Sequence, residues 1–274
     1  MSPTEALPRH RAIVIAALVI LGALSWAWLW TGAGMGMSVL EMTRLSLFPH
    51  TLAARAAGTA MAPAAGWLLV AAMWWVMMIA MMTPSAAPLV LLHARVLRHA
   101  TQQSGGVAAL AWPGAVIASS CVVCGYLVAW LLLSLAAAGL QLALARSGLL
   151  SPLLLSSRSA LLSAGVLVAA GLYQLSPLKQ TCLRHCRAPA QFLAGRWRPG
   201  PLGALATGIE HGAWCIGCCW LLMALLFVGG VMNLAWIALL TLLVVAEKLA
   251  PRGVATGRIV GGLLIVWGLA TLAT

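Results

Sequence analysis

The chain has 274 residues, of which 63% are hydrophobic and only 7% charged, and its mean hydropathy is +1.02. Soluble domains carry about 25% charged residues, so this composition excludes a soluble globular protein and points to a multi-pass membrane protein. A net charge of +12, from 16 basic and 4 acidic residues, spreads over short loops between apolar runs. That placement fits membrane orientation and not a nucleic-acid partner. Because the runs are continuous and do not alternate, the expected fold is all-α, a bundle of transmembrane helices, and not a barrel. No phosphate-binding loop, dinucleotide fingerprint or nucleophile elbow is present, so nothing marks a nucleotide-driven pump or a hydrolase.

In chain order, a short basic start carrying Arg9 and Arg11 leads into an apolar run over 12–30, read as a retained first helix and not a cleaved signal. The segment 31–65 is a long outer loop with Met35, Met37, Met42 and Met61, and 38–48 reads as an amphipathic surface helix. A second helix is expected over 66–89. Its Met73, Met77 and Met81 fall at i, i+4 and i+8 and form one stripe, with Met78 and Met82 beside it. Such a stripe is either flexible packing or a thioether ladder suited to Cu(I).

The apolar stretch 107–145 is too long for a single crossing and reads as a third helix with an extension. It carries Cys121 and Cys124, a C-x-x-C pair that on a helix would be neighbours. A short fourth helix over 161–175 is followed by a basic segment holding Cys182, His185 and Cys186. If that segment is helical, these three side chains can face one point. The fifth helix, over 205–228, contains Glu210, His211, Cys215, Cys218 and Cys219. At about 100° per residue, the histidine and the three thiols fall within an arc of roughly 100°. A turn through Asn233, a sixth helix over 234–246 ending at Glu247 and Lys248, and a Gly-rich closing helix over 254–272 complete the chain.

Seven crossings with the N-terminus inside and the C-terminus outside would place 12 of the 16 Lys and Arg on the inner side. Cys215 to Cys219 would then lie roughly 15–20 Å into the bilayer, near its midplane and level with the methionine stripe. Thiols, thioethers and imidazole are the ligands of soft and borderline metals, which suggests copper first and zinc second. His211 and Cys218 stand about 10 Å apart along the axis, so an ion held by Cys215 with Cys218 or Cys219 needs a ligand from another helix. The candidate metal residues are Cys215, Cys218, Cys219, His211, Met77, Met81, Cys182, Cys186 and His185. Met73, Met78, Glu210, Cys121, Cys124, Asn233 and Glu247 stand as possible additions. Glu210 and Glu247 can equally be read as pairing with Lys248 or a nearby arginine.

Three motifs carry a resemblance: Met77-Met78-x-x-Met81-Met82-x-Pro84, Pro177-Leu-Lys179-x-x-Cys182-x-x-x-Cys186-Arg187-x-Pro189, and Gly212-x-x-Cys215-x-Gly217-Cys218-Cys219-Trp220. With Asn233 and the Glu247–Lys248 pair, they are similar to a bacterial family of predicted metal-binding integral membrane proteins. The similarity covers residues 67 to 248, the core of a single integral domain, with 1–65 before it and 251–274 closing it. Cys121 and Cys124 lie outside the family pattern. The resemblance implies metal binding and says little of mechanism. The expected role is copper handling in the bacterial inner membrane, through delivery to a cuproenzyme or exchange with a metallochaperone. A membrane thiol–disulfide oxidoreductase, or a structural subunit whose cysteines merely pack, are the alternatives.

Overall fold

The computed structural model describes residues 3–31, 66–103, 112–151 and 155–273. The Met-rich outer segment, with Met35, Met37, Met42 and Met61 and the surface helix expected over 38–48, lies outside these residues. Among the described residues the regular structure is helical, joined by short turns and linkers, with an isolated bridge between Leu150 and Ser157. Its elements are α1 (Pro3–Trp30), α2 (Gly66–Gln103), α3 (Trp112–Arg146), α4 (Ala160–Leu175), α5 (Pro177–Arg187), α6 (Pro189–Arg196), α7 (Gly200–Ala224), α8 (Leu226–Gly229), α9 (Leu234–Leu249) and α10 (Gly253–Ala273).

Among the described residues, five helical spans are long and apolar enough to cross a membrane: Arg11–Trp30, Gly66–Leu97, Val116–Arg146, Gly200–Gly229 and Gly253–Ala273. A sixth arises if α4 and α5, bent by 64° at Ser176, count as one broken span. The expected count of seven is therefore not reached by length. The shortfall falls on α9, whose 16 residues extend only about 24 Å against a hydrocarbon core of about 30 Å. The third expected helix is continuous over the 35 residues of α3, and the start of the expected stretch, 107–111, lies outside the described residues.

The largest departure in bounds is α2, which runs on past residue 89 to Gln103 through Pro84 and Pro88. A proline inside a helix removes the N–H that would bond the carbonyl four residues earlier. For Pro84 that carbonyl belongs to Ala80, and the indole Nε1–H of Trp26 on α1 donates to it at 3.2 Å. A neighbouring helix thus takes over the freed backbone group, as the apolar interior requires.

Helix packing rests on small residues that let backbones approach. On α7, a Cβ at Gly208 would collide with the Val122 carbonyl oxygen of α3, and one at Gly212 would stand 2.6 Å from the Ala129 Cβ. On α10, Gly261 and Gly268 meet α4 in the same way, the Gly171 carbonyl oxygen lying 3.0 Å from a Cβ built at Gly261.

The turns sort into two ends of the bundle. At one end, Arg11, Arg95 and Pro189 line a single cleft, and the Arg187 guanidinium donates to the carbonyls of Ala250 and Pro251. At the other, the Ser157 N–H donates to the Phe227 carbonyl at 2.7 Å, and Trp236 Nε1 donates to the Leu225 carbonyl at 2.9 Å. The two 16-residue helices, α4 and α9, both run between these ends.

The close approach of α3 and α7 predicts that Gly208→Leu lowers stability by roughly 1–3 kcal/mol through overpacking. Thermal unfolding in detergent should show this as a lower midpoint. Leucine at Gly139, where a Cβ meets nothing within 4 Å, should leave the midpoint unchanged.

Candidate metal centre

One face of α7 turns wholly inward. His211, Cys215, Cys218 and Cys219 are each 1% exposed, so the arc read from helical spacing is the buried face. Glu210, one position off that arc, points elsewhere and pairs with Arg196, the alternative the sequence also offered for it.

Cys215 is the centre of a polar knot. Lys248 on α9 brings its ammonium Nζ to 2.8 Å from the Cys215 Sγ. The Tyr126 hydroxyl on α3 stands 3.0 Å from the same sulfur, and Ser85 Oγ on α2 stands 3.9 Å away. Lys248 also donates to Ser85 at 3.4 Å, and the Tyr126 hydroxyl donates to the Met82 carbonyl at 3.2 Å. Four helices therefore converge on one sulfur, and an ammonium supplies a positive charge at the spot where a thiolate would otherwise be costly. Cys218 and Cys219 donate their S–H groups to the Cys215 carbonyl, at 3.1 and 3.0 Å.

The second source of sulfur is α5. Ser176 breaks the chain there: its side chain accepts from the Lys179 N–H, and Pro177 sits at the first helical turn. This is the N-cap and proline pattern that starts a helix. The bend lays α5 across α7, with Cys186 Sγ 4.0 Å from Cys218 Sγ. Cys182 packs against Gly217, where a Cβ would stand only 2.9 Å from its Sγ. The small residue in Cys-x-Gly-Cys-Cys thus makes room for α5. The Tyr173 hydroxyl donates to the Gly217 carbonyl and ties α4 to the same turn.

A buried ion pair anchors α5. Lys179 Nζ lies 2.5 Å from Glu247 Oε2, and Gln174 Nε2 donates to Glu247 Oε1 at 2.7 Å. Arg187 adds a bond to the Glu247 backbone carbonyl at 2.6 Å. The sequence offered Glu247 either as a ligand or as the partner of Lys248 or an arginine. In the structure its carboxylate takes Lys179, and Lys248 turns to Cys215.

The remaining candidates divide clearly. Met73, Met77, Met78, Met81 and Met82 are all fully buried in the core cluster that also holds Cys215, Cys218 and Cys219. His211 sits beside the Tyr126 and Phe192 rings, and its Nδ1 has no hydrogen-bond partner. His185 does not join Cys182 and Cys186 at one point. Its ring stacks on Trp214 at 4.0 Å and its Nδ1 lies 2.9 Å from the Thr181 carbonyl. Asn233 is the N-cap of α9, accepting from the Trp236 N–H and donating to the Gly229 carbonyl. Cys121 is half-buried and Cys124 exposed, and all seven cysteines are free.

Among the described residues, no group of three or more His, Cys, Asp or Glu side chains is placed to hold a metal ion. The reason is visible in the bonds above: each α7 thiol is turned to an internal partner. Lys248, Tyr126 and Ser85 were missed as parts of the site. The available signals were an intramembrane lysine, which is functional by default, and the scarcity of tyrosine, with only two in the chain.

Apolar spans of membrane-crossing length around a buried thiol cluster define a helical, multi-pass membrane protein with a soft-metal donor set. Residues 71–271 match the family model PpoB2, described as a copper chaperone, and the chain belongs to that family. No curated protein and no solved structure matches it.

Removing the Glu247 charge leaves Lys179 buried without a counter-ion, so Glu247→Gln is expected to cost roughly 3–5 kcal/mol. The double change Lys179→Met with Glu247→Gln should recover much of that loss. Thermal midpoints of the wild type, Glu247→Gln, Lys179→Met and the double variant check the coupling, and simple additivity would contradict it.

Proposed function

We propose that this chain is a membrane-embedded copper chaperone that takes Cu(I) as cargo on Cys186, Cys215, Cys218 and Cys219. The observation that carries the reading is the meeting of α5 and α7 thiols, with Cys186 Sγ 4.0 Å from Cys218 Sγ, inside a core that also packs seven methionines, five of them on α2. Thiolate and thioether together are the donors that suit Cu(I). Loading requires the α7 thiols to leave the Cys215 carbonyl, and Cys215 to trade its lysine contact for the metal. His211, one turn before Cys215 with an unpartnered Nδ1, is the nearest nitrogen donor on that helix, and Met77 or Met81 is the thioether candidate. Cys182, half-buried in the middle of α5, is the entry or exit thiol. The copper would pass to a cuproenzyme or exchange with a metallochaperone.

The proposed setting is the bacterial inner membrane, with seven crossings, the N-terminus inside and the C-terminus outside. Support for the order comes from the two ends of the bundle. Residues near 11, 95, 189 and 251 share one end, while those near 157 and 227 share the other. The first group coincides with the segments richest in Lys and Arg.

The Cys186–Cys218 pair also favours a second reading, thiol–disulfide exchange. There, a partner's disulfide would be reduced to two thiols as Cys186 and Cys218 join and release their two protons. The two readings separate in one experiment: copper per protein and non-reducing mass spectrometry on the wild type, Cys186→Ser and Cys218→Ser. The copper reading expects near-stoichiometric metal in the reduced wild type, lost by at least about tenfold in both variants, since serine nearly preserves volume but removes the soft donor. A metal-free wild type with a stable Cys186–Cys218 disulfide would establish the exchange reading instead. For the orientation, a tag at residue 192 should be shielded from outside in intact cells and a tag at residue 57 reachable. A reachable tag at 192 overturns it.

A further inference from the structure

The basic excess of this chain leaves arginines without internal counter-ions, and two of them share a cleft. Arg11 of α1 and Arg95 of α2 line a cavity of about 310 Å³ together with Pro88, Leu91 and Leu92 of α2 and Pro189 of α6. On α2, residues 88, 91, 92 and 95 fall at i, i+3, i+4 and i+7, so the apolar wall and its arginine form one helical face. Among the described residues, no acidic side chain lines the cleft. The chain has only four acidic residues, and the two whose side chains are described are engaged elsewhere, Glu247 by Lys179 and Glu210 by Arg196. Neither arginine makes an ion pair among the described residues.

The depth of the cleft is fixed by the same helices. The apolar span of α1 begins at Arg11 and that of α2 ends at Leu97, so the two guanidinium groups stand where hydrocarbon gives way to headgroups. Pro88, Leu91 and Leu92 extend from that level toward the bilayer interior. A cleft with paired cations at its headgroup end and an apolar wall below has the polarity of an anionic phospholipid.

We propose that this cleft binds one anionic phospholipid, its phosphate between Arg11 and Arg95 and an acyl chain along Pro88, Leu91 and Leu92. Guanidinium suits phosphate through its forked N–H donors. The lipid bridges α1, α2 and the start of α6. Because α6 continues directly from α5, the lipid also braces the segment that carries Cys182 and Cys186. The inference rests on membrane insertion and is independent of copper.

The test uses the full-length protein purified in detergent. Native mass spectrometry counts retained lipid, with phosphatidylglycerol and phosphatidylcholine of identical acyl chains supplied in equal amounts. The expected result is a preference for phosphatidylglycerol that falls roughly fivefold for each arginine removed, in Arg11→Gln and Arg95→Gln, and vanishes in the double variant. Arg146→Gln removes another exposed arginine at a helix end and should leave the preference intact. If the double variant does not fold, the two single variants decide, and an unchanged ratio in both overturns the site. The proposal also fails if Arg146→Gln lowers the preference equally. It fails too if inorganic phosphate at millimolar concentration displaces the lipid, because the occupant is then a soluble anion.

Discussion

Two consecutive residues on α9 hold the interior together by reaching in opposite directions. Glu247 extends to Lys179 and Gln174, fixing α5 and the end of α4, while Lys248 extends to Cys215 and Ser85, fixing α7 and α2. All four charged or thiol partners are buried or nearly so. In a low-dielectric interior an unpaired charge is intolerable, so each of these groups specifies where its partner must be. The helix α9 is short for a membrane crossing, yet its last turn determines how four other elements meet. Its hydrophobicity gives no hint of that role.

The same demand for satisfied polar groups explains how irregular helices survive here. Pro84 would strand the Ala80 carbonyl, and Trp26 from another helix accepts the task of bonding it. Tyr126 and Ser85 both donate to the Met82 carbonyl, two residues before the proline. The hydroxyls that tie this stretch of α2 are also the ones that surround Cys215. The proline region and the thiol site therefore form one polar island within an apolar bundle. Glycine does the complementary work, since Gly208 and Gly212 bring α3 close enough for Tyr126 to reach the sulfur.

Membership in a copper chaperone family gives the hydrogen-bonded state of the thiols a chemical sense. A protein that must release its metal gains from a metal-free state in which the ligands have alternative partners. Cys215 has Lys248 and Tyr126, and Cys218 and Cys219 have the Cys215 carbonyl. On the proposed reading, in which these thiols take copper, each such contact would have to be given up on loading and so would weaken net metal affinity. Exchange between proteins calls for that balance more than for the tightest possible site.

What the sequence alone determined is local. The one-faced array of His211, Cys215, Cys218 and Cys219 follows from helical periodicity, and the start of α5 follows from Ser176 and Pro177, because these depend on residues within two or three turns. The helical, membrane-crossing character followed from composition. The tertiary structure decided which side chains face the array. Lys248 meets Cys215 across 33 residues of chain, Tyr126 across 89, and Cys186 meets Cys218 across 32. It also set His185 on Trp214 and made Asn233 a cap, though both carry side chains able to ligate. No periodicity encodes such pairings. They arise from which helix backbones can approach most closely and which buried charges must be matched, and both conditions exist only once the bundle is assembled.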